Sequence, residues 1–74
     1  MRGLPALRGS TVIAALQKAG FVVVRTKGSH AFLRHQTDPS RQTVVPVHRR
    51  DLPVGTLSAI LRQANVGRDE FWMN

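Results

Sequence analysis

From Phe21 to His35 the chain reads FVVVRTKGSHAFLRH. The β-branched run of FVVVRT (21–26) predicts a strand, and KGS (27–29) supplies the glycine of a tight reversal. HAFLRHQ (30–36) then returns as a second strand, so the stretch is a β-hairpin. Alternation puts His30, Phe32 and Arg34 on one side of it and Ala31, Leu33 and His35 on the other. Phe32 argues for the first side as the core side and Leu33 for the second, so periodicity leaves the exposure of His30 open.

On the N-terminal side of the hairpin, Val12, Ile13, Leu16 and Ala19 recur at helical spacing. Ser10 or Thr11 is the expected cap, and Gly20 the left-handed terminating residue. On the C-terminal side, TDPSR (37–41) has turn chemistry and QTVVPV (42–47) reads as a third strand, with Pro46 suited to an edge or a bulge because it lacks an N–H donor. Leu57, Ile60, Leu61 and Ala64 then mark an amphipathic helix beginning near Asp51 or Thr56, with Asn65 as its left-handed end. The tail GRDEFWMN (67–74) allows one more turn, with Phe71 and Trp72 docking onto the body. The order is α-β-β-β-α, an α+β fold in which a three-stranded antiparallel sheet carries two helices packed on one face. The other face stays open.

A chain of 74 residues holds one domain, here residues 1–74 with 1–8 as a flexible N-terminus. It buries roughly 60% of its unfolded surface. An enclosed cavity between lobes is not expected, so chemistry belongs on an open face, which favours a large substrate. Eleven Lys and Arg against four Asp and Glu give a net charge of +7, and polyanions are the matching partners. Arg25, Lys27, Arg34, Arg41, Arg49 and Arg50 crowd the middle of the chain with only Asp38 among them. There is no cysteine, hence no disulfide framework and no thiolate; a reducing cytoplasm suits the chain. Its longest apolar run is far short of the roughly 20 residues of a membrane span, and the N-terminus has no signal-like apolar stretch.

His30 is the sharpest candidate for chemistry, because imidazole is readily poised as acid or base near neutral pH. The alternative is a polar residue that merely pairs at a strand start. Gly28 serves the turn and also lets a phosphate approach backbone N–H groups, and Ser29 is a phosphate or turn donor. His35 and His48, near the ends of successive strands, could meet across the sheet, but a metal site would want further ligands that the composition does not offer. His48 beside Arg49 and Arg50 fits an additional phosphate contact better. The carboxylates sit in turns or at the C-terminus, against paired-carboxylate chemistry. Ser29 and His30 are sequence neighbours on opposite faces, against a serine triad. Aromatic residues are few, which points to shape and phosphate recognition rather than to an aromatic sheet for splayed single-stranded bases.

From Leu7 to about Phe71 the chain resembles the HicA toxin family of toxin–antitoxin modules. The matching pieces are ALQKAGFVVVRTKGSH, FLRH, TVVPVH, DLPVGTLSAILRQANV and RDEF, in that order. The resemblance implies a fold like the double-stranded-RNA-binding domain and a cytoplasmic endoribonuclease that cleaves mRNA without a metal or other cofactor. It also implies a HicB-like antitoxin that covers the active face. The Gly-Ser-His motif maps to Gly28, Ser29 and His30, making His30 the expected catalytic histidine, with Arg25, Lys27, Gly28, Ser29, Arg34, His48 and Arg49 as RNA contacts. Three features depart from the family pattern: Ala31 stands where many relatives have a second histidine, HQTDPSRQ replaces a His-Pro-Asp-Gly hairpin, and Asn65 replaces a glycine. The rival expectation is a non-catalytic RNA-binding module using the same basic face. A DNA-binding regulator comes last, since the second helix offers only Arg62 and Gln63 for reading.

Overall fold

A computed structural model describes residues 6–72. In chain order it contains β1 (Leu7–Arg8), α1 (Gly9–Lys18), β2 (Phe21–Lys27), β3 (His30–His35) and β4 (Gln42–Pro46), then β5 (Asp51–Leu52), α2 (Val54–Ala64) and α3 (Arg68–Trp72). Strands β2, β3 and β4 form an antiparallel sheet in that order, and α1 and α2 pack on one of its faces. The expected α-β-β-β-α architecture is therefore present.

Two elements were not expected. β1 pairs with β5 through Leu7 with Leu52 and Arg8 with Asp51, so residues 7 and 8 are in a strand rather than in a flexible terminus. Leu7 packs against the core and Leu52 is buried, a gain that two residues of local pattern do not announce. Residues 1–5 lie outside the described residues, as does the side chain of Trp72, whose docking was expected.

The core lies between the helices and one sheet face. Val12 and Leu16 of α1, Leu57, Ile60, Leu61 and Ala64 of α2, Ala31 and Leu33 of β3, and Val45 of β4 are all buried there, with Phe71 of α3 closing one side. This settles the ambiguity of β3: the Ala31/Leu33 side faces inward, and His30, Phe32 and Arg34 face out.

The helix starts differ from expectation for physical reasons. α1 begins at Gly9, before Ser10 and Thr11, and Arg8 holds the cap position in extended conformation without a side-chain bond. Gly9 is buried against the backbone of Pro46 and Val47, where a Cβ would collide with the Pro46 carbonyl oxygen, so packing sets the start. α2 begins at Val54, because Asp51 is held in β5 and Pro53 is still extended (φ −58°, ψ 147°). The ends agree with expectation. Gly20 has φ +101°. Asn65 is left-handed (φ 55°, ψ 44°), and bonds from Val66 N–H to the Leu61 carbonyl and from Asn65 N–H to the Arg62 carbonyl complete a Schellman cap.

The hairpin carries one irregularity with large consequences. Val23 pairs with Leu33 but Arg25 pairs with Phe32, so Val24 is the extra residue of a β-bulge. Directly paired residues share a face. Strict alternation from Phe21 would have turned Arg25 and Lys27 toward the helices; the bulge resets the phase and places both beside Phe32 and His30 on the open face. It also interrupts the edge formed by Val22, Val23 and Val24, which are 43%, 37% and 45% exposed. Bulges and edge cations are both devices that oppose pairing with a second sheet.

Candidate functional site

The β2–β3 turn is as tight as a hairpin allows: Lys27 pairs with His30, leaving Gly28 and Ser29 as the loop. Gly28 has φ +58° and is the loop's sole residue with positive φ, the φ pattern of a type II′ turn, which takes glycine at its first central position. A Cβ at Gly28 would meet nothing within 4 Å, so the requirement there is conformational, and its backbone stands open to solvent. On the far side of the turn, Val47 N–H donates to the Ser29 carbonyl at 2.6 Å, tying the segment 47–50 to the turn. His48, Arg49 and Arg50 in that segment are exposed.

His30 is exposed, flanked across the sheet by Lys27 on β2 and Pro46 on β4. Its imidazole has no hydrogen-bond partner among the described residues, so both ring nitrogens are available to an incoming group. Along the same face, Arg25 lies over Phe32, the guanidinium carbon 4.6 Å from the ring centroid, and Arg34 follows two residues further along β3. None of Arg25, Lys27, Arg34 and Arg49 is ion-paired among the described residues. The carboxylates are elsewhere: Asp38 in the β3–β4 loop, Asp51 in β5, Asp69 and Glu70 in α3. The expected set of Arg25, Lys27, Gly28, Ser29, His30 and Arg34 is thus carried by one hairpin, with His48 and Arg49 on the segment joined to its turn.

A shallow groove of about 360 Å³ crosses this face beside His30, lined chiefly by Arg25, Phe32, Arg34, Gln42, Val44 and Gln63. His30 does not line it; it stands two register pairs beyond Phe32. Gln42 and Gln63 were not singled out from sequence. Gln42 could not be, because its position beside Arg34 follows from β3–β4 register, and Gln63 reaches the groove only because α2 packs along β4.

The other two histidines do not meet. His35 closes β3 at the opposite end of the sheet, while His48 follows β4 at the His30 end, a separation of about 17 Å along β3. Antiparallel pairing puts the C-terminal ends of neighbouring strands at opposite edges, which the sequence reading overlooked. His35 is a packed side chain. It meets Phe21 edge-on at 5.1 Å, its Nδ1 accepts from Thr37 N–H at 3.2 Å, and its ring lies against Gly20. Among the described residues, no group of three His, Cys, Asp or Glu is arranged to hold a metal ion.

Arg41, one of the mid-chain cations, is also structural. Its Nε donates to the Ala64 carbonyl at 3.0 Å and its Nη2 to the Asn65 carbonyl at 3.1 Å, with Glu70 3.5 Å from Nη2. It caps the C-terminus of α2, where a cation also meets the negative helix end. In the same loop, Asp38 accepts from the Ser40 hydroxyl at 2.6 Å and from Ser40 N–H. Those bonds, the hydroxyl's first, hold its carboxyl below the usual carboxylate range.

The family described as HicA toxin of bacterial toxin-antitoxin matches residues 9–66, most of the chain. The chain belongs to the HicA toxin family. Its role is accordingly that of the toxin in a toxin–antitoxin module, with an antitoxin as partner. No curated protein matches the sequence. Among the described residues no helix of the toxin is long and apolar enough to cross a membrane.

Proposed function

We propose that the toxin is a metal-independent endoribonuclease acting on mRNA in the cytoplasm, with His30 as the general base. One observation carries this reading: an exposed imidazole with both nitrogens open, opposite Lys27, on a face that gathers cations and holds no carboxylate. A phosphodiester is drawn to such a face, and the exposed Gly28 backbone lets it approach closely. His30 removes the proton of a ribose 2′-hydroxyl; the oxygen attacks the adjacent phosphorus, the P–O5′ bond breaks, and the departing oxygen takes a proton from water. Lys27 steadies the charge that builds on the phosphoryl oxygens. Ser29, Arg25 and Arg34 hold the strand on the hairpin, and His48 and Arg49 hold it from the neighbouring segment. General-base assistance of this kind contributes roughly 10²–10⁴-fold in rate. A HicB-like antitoxin would silence the toxin by occupying this same face.

The test is the chemistry of the ends. Purified, antitoxin-free protein incubated with single-stranded RNA in EDTA is expected to leave 2′,3′-cyclic phosphate and 5′-hydroxyl termini. Products with 3′-hydroxyl and 5′-phosphate, or dependence on a divalent metal, would contradict the mechanism. Tight RNA binding with no cleavage would favour the non-catalytic RNA-binding module instead.

A further inference from the structure

The groove beside His30 has features that phosphate recognition does not need. Phosphate contacts require positive charge, and Lys27, Arg34 and Arg49 supply it. Arg25, by contrast, lies over Phe32 with its guanidinium carbon 4.6 Å from the ring centroid, and both line the groove, which places a planar, weakly hydrated cation there. Phe32 is the one phenylalanine on the open face, since Phe21 and Phe71 are buried in the core. At the groove's other side, two side-chain amides are each half committed. Gln42 Nε2 donates to the Pro39 carbonyl at 2.7 Å, which leaves Oε1 as an acceptor. Gln63 Oε1 accepts from the Thr43 hydroxyl at 3.0 Å, which leaves its NH₂ as a donor. The Pro39 carbonyl fixes the sense of the Gln42 amide, so the groove offers a flat cationic group, an acceptor from Gln42 and the side-chain amide of Gln63.

We infer that this groove is a subsite for a single unstacked nucleobase of the RNA strand, held against the Arg25–Phe32 pair and bonded at its edge by Gln42 and Gln63. This inference rests on the proposed RNA substrate and goes beyond it by naming the substrate class: RNA single-stranded at the base next to the cleaved bond. A nucleobase is planar and carries a donor and an acceptor on its edge, whereas in a duplex that edge is occupied by its partner and the face by its neighbours. The β-bulge at Val24 is what makes the subsite, because without it Arg25 would point to the helices.

An abasic scan tests the subsite. Binding of a short single-stranded RNA that the wild type cleaves is measured with the His30→Ala variant, replacing one nucleotide at a time by an abasic unit. One position near the cleaved bond is expected to lose affinity by about 5-fold to 150-fold, the value of stacking one base on a protein platform. Adding Arg25→Lys, which keeps the charge but removes the plane, is expected to erase that sensitivity, so that the intact and abasic strands bind this variant alike. Phe32→Leu, which withdraws the support beneath the plane, is expected to do the same. If the RNA is bound and cleaved but no position responds, or if the response survives both substitutions, the subsite is wrong and the ribonuclease reading stands. If the protein neither binds nor cleaves RNA, both fail together.

Discussion

The two ends of β3 each carry a histidine, and the contrast between them shows how position decides chemistry. His35 is edge-on to Phe21, bonded to the Thr37 N–H and pressed against Gly20. His30, five residues earlier on the same strand, projects from the open face with no hydrogen bond among the described residues and Lys27 across from it. Strand geometry alone separates them, since an interval of five residues places them on opposite faces. A side chain that already spends its nitrogen on the protein is part of the fold; one that spends neither is free to act on something else.

Exchanging the two effects is the strongest way to break this contrast. His30→Ala is expected to lower RNA cleavage by about 10²–10⁴-fold with the melting temperature unchanged, measured by single-turnover kinetics beside circular dichroism. A cleavage rate near that of the wild type would remove the distinction. Arg41→Met, which keeps the alkyl stem over Phe21 and deletes the bonds to the Ala64 and Asn65 carbonyls, is expected to cost about 2 kcal/mol. In a domain this small each kcal/mol shifts Tm by roughly 4–8 °C. His35→Ala is expected to cost about 1–2 kcal/mol from the lost ring contact and hydrogen bond, while cleavage by the folded fraction is retained; loss of chemistry without loss of stability would reverse the roles assigned to the two ends.

Much of this contrast was legible in the sequence, and the limits are instructive. The hairpin, the two helices and the left-handed ends at Gly20 and Asn65 were readable because each rests on local chemistry: β-branching, 3.6-residue spacing, and residues that tolerate positive φ. The exposure of His30 was not readable, because Phe32 and Leu33 give opposite answers until the helices choose a face. Nor was the bulge at Val24. FVVV is apolar at every position, so a phase shift within it leaves no trace in the pattern, although it decides where Arg25 and Lys27 point. Arg41 looked like its cationic neighbours because its partners, Ala64 and Asn65, lie more than twenty residues away.

Two smaller effects sharpen the comparison at the loops that flank the strand. At the His30 end, Gly28→Ala forces a Cβ into the φ +58° conformation and is expected to cost about 1–2 kcal/mol, visible in a denaturant titration. At the His35 end, Asp38 carries the smallest effect. Its carboxyl is held low by Ser40, so it favours the folded state above the usual carboxylate range, and that contribution is lost as pH falls through its lowered value. Asp38→Asn should therefore lower the melting temperature slightly at pH 7 and converge with the wild type in acid; a difference that grows on acidification would be the wrong sign.

The central claim is that the imidazole of His30 activates a ribose 2′-hydroxyl on the open face. It is tested most directly by an RNA carrying one 2′-deoxy nucleotide immediately 5′ of the mapped cleavage site. The expected result is that the wild-type toxin binds this strand as well as the parent and leaves that bond intact while cutting the all-ribose control. Scission of the substituted bond at the parent's rate would contradict it.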